Sequence, residues 1–117
     1  MQETLGGAFL EHALAGTSAP TARAALRELL ADEVSHGRIG WAHLASLGDA
    51  PKAALAPHLP GLLDRCLEVW RSRVADLPEV APPAHGCPDP ASIIEVVESA
   101  LDELVLPGFE HVGVSVG

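Results

Sequence analysis

The most constraining feature of the sequence is a helical pattern over residues 26–41 that carries an acid inside its apolar stripe. Leu26 and Leu30 align on one face of this helix. Glu33 falls within the same stripe, and His36 falls at its edge. A carboxylate that faces a protein interior is costly unless another group compensates its charge. The pattern therefore predicts an amphipathic helix with an inward Glu-x-x-His pair, by which helical bundles present a carboxylate and an imidazole to a metal ion.

The composition predicts one small helical protein. The chain has 117 residues, of which 48% are hydrophobic, and this content argues against a disordered chain. Aromatic side chains are scarce, so the core must be built from Leu, Val and Ala, of which Leu and Ala favour helix. The net charge of −9 argues against nucleic acid or an anionic membrane surface as a partner.

The cysteine content and the first residues predict a cytoplasmic location. Cys66 and Cys87 are too few, and too different in setting, to form a disulfide framework. Residues 1–4 include an acid where a secretory leader would be basic, and no apolar run is long enough to span a membrane. We therefore expect a cytoplasmic protein without a membrane partner.

Helix start and stop signals divide the chain into four helical segments. The predicted segments cover about residues 2–15, 19–47, 50–75 and 91–106. We expect an all-α fold in which residues 1–48 form a long antiparallel helical hairpin. Residues 49–117 form a C-terminal helical extension packed in the same domain, with a proline-rich loop at 78–90. The tail, 109–117, alternates like a strand and equally suits a last helical turn.

Capping and breaking residues refine these boundaries. Gly16 is placed as the residue that follows the first helix, and Ser18 is placed to cap the second. Prolines on both sides of His58 predict a break in the third segment. Asp89 is placed to cap the fourth segment, and Pro107 should break or kink it.

The hairpin register places a second acid near the Glu-x-x-His pair. If the two helices pack antiparallel about their short connection, the partner of Glu33 lies close to Glu3. Glu3 also begins a stripe that continues through Gly7 and pairs in register with Leu30. We therefore expect Glu3, Glu33 and His36 to face one interior region.

These residues carry a family resemblance. Glu3–Ala8, followed by a short connection and Ala31–Trp41, resembles the second helical pair of ferritin-like domains. In particular, the Asp-Glu-x-x-His run followed by small residues and a tryptophan is similar to the fourth helix of that family. The resemblance covers about residues 2–47.

The resemblance implies a di-metal carboxylate site, usually of iron, with manganese as the alternative. The family supplies one Glu from each of two helices and Glu-x-x-His from each of the other two. By motif, Glu3 is the lone Glu, and Glu33 and His36 are the pair. The first helical pair is absent, so the site must be completed by self-association or by a missing N-terminal half. Two copies supply the full set of ligands, and the chemistry implied is redox chemistry of the oxidoreductase kind.

Other interpretations stay open. Two alternatives are a non-catalytic helical interaction module that keeps the fold without metal, and a truncated product. Further candidate ligands are weaker: Glu11 with His12, His43 as a supporting donor, and His85 with Cys87 as half of a zinc site. The sequence does not name a substrate.

Overall fold

The computed structural model describes residues 1–78 and 85–115, and within these ranges every regular element is helical. The elements follow in the order α1 (Gln2–Gly16), α2 (Pro20–Ser46), α3 (Asp49–Leu55), a 3₁₀ turn (Ala56–His58), α4 (Leu59–Ala75), α5 (Pro90–Ala100), a π-helical turn (Leu101–Val105) and α6 (Leu106–His111). The predicted all-α class is confirmed, with a long helix pair followed by two later helical units. Positions 79–84 of the predicted proline-rich loop and 116–117 of the tail lie outside the described residues.

α1 and α2 form the predicted antiparallel hairpin. Leu30 approaches Gly7, since a β-carbon on Gly7 would stand 3.9 Å from its Cδ1. Further along α2, the indole Nε1 of Trp41 donates a hydrogen bond of 3.0 Å to Oγ1 of Thr4. Later residues of α2 therefore meet earlier residues of α1, and the predicted register holds to within a few residues near Gly7.

Hydrogen bonds from an arginine side chain, rather than the predicted caps, stabilise the connection between α1 and α2. Gly16 is the last residue of α1, and the extended Thr17 follows it, so the prediction that Gly16 is the residue after the helix is wrong. Ala19, not Ser18, precedes α2, and no side chain caps that end. The guanidinium of Arg23 instead donates to the carbonyls of Leu14 and Thr17 at 3.0 and 2.8 Å. The carbonyl of Leu14 also accepts the N–H of Thr17 at 3.2 Å, so the guanidinium adds a second donor at the end of α1 and ties it to the connection.

The second half of the chain follows its proline and aspartate signals. The predicted break at His58 is confirmed as the 3₁₀ turn that joins α3 to α4. Asp89 caps α5 as predicted, since its Oδ2 accepts the backbone N–H of Ser92 at 3.0 Å. Pro107 does not end the helical path. A π-helical turn precedes it, in which the N–H of Leu106 bonds to the carbonyl of Leu101, and Pro107 lies in the first turn of α6.

The end of α6 explains the strand-like alternation of the tail. Gly113 has φ +91°, a left-handed conformation that favours glycine, and its N–H bonds to the carbonyl of Glu110 at 3.0 Å. The N–H of Val114 bonds to the carbonyl of Phe109 at 2.8 Å, which completes a Schellman motif. Val114 is fully buried. Of the two readings of the tail, the last helical turn followed by a loose end is therefore correct for the described residues: the helix ends at His111, and residues 112–115 form a turn and irregular chain.

The core lies between α1, α4, α5 and the segments that follow α5. It contains the buried side chains of Leu5, Leu59, Cys66, Val74, Ile93, Val97, Ala100, Leu101, Val105, Phe109 and Val114. In α2, by contrast, Gly37 is the one buried residue. The radius of gyration is 15.6 Å, above the roughly 13 Å typical of a compact chain of this size. α2 therefore lies along the outside of the molecule with a long face exposed.

Within 1–78 and 85–115, none of the helices combines the length and apolarity needed to cross a bilayer.

Candidate metal centre

The three predicted ligands line one open groove between α1, α2 and α4. Its volume is about 540 Å³, and Glu3, Glu33 and His36 all border it. Glu3 comes from the first turn of α1, and the other two come from adjacent turns of α2. The antiparallel hairpin therefore brings the lone acid and the Glu-x-x-His pair to the same surface. We refer to this surface as the α1/α2/α4 groove.

Glu33 reaches across the hairpin because α1 has a glycine opposite it. A β-carbon on Gly6 would stand 2.9 Å from Oε2 of Glu33 and 3.6 Å from its carboxyl carbon. The carboxylate therefore rests against the backbone of α1 at a position that any side chain would crowd. Glu33 is only partly buried, so desolvation of its charge is milder than its place in the apolar stripe predicts.

Glu3 approaches the same seam from α1. Its Cβ lies 3.9 Å from the position that a β-carbon on Gly37 would occupy. Its Oε2 lies 3.4 Å from the N-terminal ammonium of Met1. The pKa of Glu3 lies below its usual value, chiefly because its own backbone N–H bonds to the carboxylate. The Met1 ammonium and His36 lower it further, while desolvation opposes them. Glu3 is therefore an ionised carboxylate available to a cation at neutral pH.

The donor types in the groove fit a metal ion, but their number and spacing within one chain do not complete a site. Two carboxylates and one imidazole are ligands that suit iron and manganese. His36 lies exposed at the rim of the groove. In the part of the chain that the structure describes, no group of three His, Cys, Asp or Glu side chains is close enough to hold a metal ion. One chain therefore presents two carboxylates and an imidazole along one open groove, without bringing them close enough to hold a metal ion by itself.

The groove has an aromatic floor and a cationic wall that the sequence did not reveal. The rings of Phe9 and Trp70 meet with centroids 5.6 Å apart. The indole Nε1 of Trp70 donates to Oε1 of Gln2 at 3.2 Å, which joins α4 to the start of α1. Arg73, one turn along α4, also borders the groove. Trp70 and Arg73 come from beyond the break at His58, so no local pattern predicts that they meet α2.

The weaker candidate ligands lie outside this groove, although Glu11 lines a second cavity of about 250 Å³ together with Glu3 and Glu33. Glu11 and His12 border a separate groove of about 450 Å³, and His12 Nε2 forms a hydrogen bond of 2.9 Å with Oγ of Ser92. His43 is exposed on α2, and His85 and Cys87 are both exposed near the start of α5. None of them borders the α1/α2/α4 groove.

Comparison of the chain with protein-family models, with curated proteins and with solved structures finds no match. The resemblance to ferritin-like domains therefore stays a prediction. The case for a metal centre depends on the geometry and chemistry of the groove itself.

Proposed function

We propose that this protein binds a di-iron type of metal centre, of which each chain supplies one half. The observation that carries the proposal is that Glu3, Glu33 and His36 border one groove although they come from two helices. Manganese is the alternative metal, because the same oxygen and nitrogen donors suit it.

The donor set determines what such a centre does. Helical di-metal sites use four carboxylates and two histidines, and two copies of this chain supply that number in the same proportion. Iron held by carboxylate and imidazole keeps open positions at which dioxygen can be reduced. In such a centre Glu3, Glu33 and His36 would hold the cation. The net charge of −9 raises the local concentration of cations near the protein.

Metal binding by single-site variants tests the proposal. Metal-free protein is titrated anaerobically with Fe(II) and with Mn(II), and binding is measured by calorimetry. We expect Glu33→Ala and His36→Ala each to abolish high-affinity binding. Glu28→Ala and His58→Ala remove the same side-chain types from exposed positions outside the groove and should bind as the wild type does. Equal binding by all five proteins would refute the site.

A non-catalytic helical interaction module is the second candidate function. It is supported by the apolar side chains that α2 exposes, since Leu29, Val34 and Ile39 are 52%, 44% and 69% exposed. In that case Arg73 balances the acids of the groove, and no metal is needed. Absence of Fe(II) and Mn(II) binding by the wild-type protein would favour this candidate.

A further inference from the structure

The outer face of α2 carries a heptad-like row of exposed residues. The row consists of Ala25, Leu29, Asp32, His36, Ile39 and His43, and all six are exposed. Their spacing alternates between four and three residues, which keeps them on one side of a helix over about 27 Å. Leu29 and Ile39, the two large aliphatic side chains of the row, are 52% and 69% exposed. We call this set the α2 outer row.

The α2 outer row is complementary to the same row of a second copy that runs in the opposite direction. If a second α2 packs antiparallel with its midpoint at residue 34, Leu29 of each copy meets Ile39 of the other. In the same register, Asp32 of each copy meets His36 of the other, and Ala25 meets His43. Apolar residues thus pair with apolar residues, an acid pairs with a base, and a small residue pairs with a larger one. Each pairing occurs twice, as a twofold axis requires.

We propose that the α2 outer row is the interface of a homodimer in which the two α2 helices pack antiparallel. A parallel arrangement would instead place Asp32 opposite Asp32 and His36 opposite His36, which brings like groups together. Antiparallel packing of two α2 helices is therefore sufficient to account for the residue types in the row. Val34 is also exposed but points away from it, so the pattern is specific to one face.

The same register has a consequence for the metal centre. The twofold axis passes level with residue 34, so His36 lies about 3 Å along the helix from that level, and Glu33 lies closer still. The two α1/α2/α4 grooves therefore meet near the axis, where each chain can complete the other's ligand set. This consequence rests on the proposed metal function, whereas the dimer itself does not.

Sedimentation equilibrium of metal-free protein in EDTA tests the interface. We expect the wild type to dimerise, and Leu29→Glu and Ile39→Glu each to raise the dimer dissociation constant by about 100-fold or more, because each change buries two charges per dimer. Val34→Glu adds the same charge to an exposed aliphatic position of the same helix and should dimerise as the wild type does. Circular dichroism verifies that each variant is folded. A monomeric wild type, a dimer unaffected by Ile39→Glu, or equal loss in all three variants would overturn the proposal.

Chemical crosslinking tests the register and does not depend on disrupting the dimer. In a Cys87→Ser background, Leu29→Cys and Ile39→Cys chains are mixed and treated with a short bismaleimide. The mixture should give crosslinked heterodimers. Either chain alone should not, because its two new thiols lie about 15 Å apart along the helix axis. Efficient crosslinking of Leu29→Cys alone, or none in the mixture, would overturn the antiparallel register. Because no metal is present, failure here is distinguishable from failure of the proposed metal site.

Discussion

Glu33 lies against Gly6 so closely that a β-carbon on Gly6 would stand 2.9 Å from its Oε2. The contact joins the middle of α2 to the first half of α1, and it directs the Glu33 carboxylate toward the groove that Glu3 and His36 also border. A glycine in the interior of a helix costs stability, so its presence opposite an acid favours a role in holding that acid.

Gly6→Ala should weaken Fe(II) binding without lowering the free energy of unfolding. Alanine gains up to about 1 kcal/mol of helix propensity, and the crowded atom is the mobile end of Glu33, so the free energy of unfolding should stay equal or rise. Displacement of the carboxylate should weaken Fe(II) binding about 10-fold. Gly40→Ala is the control, because a β-carbon there meets no atom within 4 Å. Unchanged Fe(II) affinity in Gly6→Ala would show that Glu33 is not held for a metal.

Gly108→Ala should destabilise the packing of α6 against α2. A β-carbon on Gly108 would stand 2.9 to 3.2 Å from three atoms of the Trp41 indole, a rigid ring that also packs edge-on against Phe109. We expect a net loss of about 1–2 kcal/mol in urea unfolding, with a shift in tryptophan emission. Gly61→Ala in α4 has open space and should not lose stability.

Two leucines of α4 provide a matched test of the core. Leu59 is fully buried, whereas Leu62 is 39% exposed on the same helix. Leu59→Ala should lower the free energy of unfolding by about 2–5 kcal/mol, because it leaves a cavity among the core side chains. Leu62→Ala should cost less than about 1 kcal/mol. Similar losses in the two variants would contradict the placement of the core.

The cap of α5 should give a pH-dependent contribution to stability. The pKa of Asp89 lies below its usual value because the backbone N–H and the side chain of Ser92 bond to the carboxylate. A lowered folded-state pKa stabilises the protein above the unfolded pKa, and this gain is lost as the pH falls through the folded pKa. Asp89→Ala should therefore lower the melting temperature at neutral pH, with a difference that shrinks in acid. Asp89→Asn keeps a capping oxygen without the charge and should lose less. A difference that stays constant down to acidic pH would argue against this role.

The sequence predicted the elements well because their signals are local. The break at His58 follows from the flanking prolines, and the Asp89 cap follows from its position before a proline-led helix. The hairpin register follows from periodicity, which is why Leu30 meets Gly7 as expected. Because that register is correct, Glu3, Glu33 and His36 border the same groove.

Tertiary placement could not be predicted from the same signals. Arg23 caps the end of α1 from the second helix, which replaces the expected glycine terminator. Trp70 and Arg73 reach the groove because α4 folds back beside α1, and no periodicity encodes that return. The sequence also did not predict that α2 would be so exposed. An apolar stripe predicts that one face of a helix is buried, but it does not indicate which other element covers that face.

The half-site account is tested most directly by native mass spectrometry of anaerobic protein titrated with Fe(II). The account predicts two iron ions in particles of two chains, none in single chains, and no iron in Glu33→Ala particles of either size. Iron held by single chains, or particles of two chains without iron at saturating Fe(II), would contradict it.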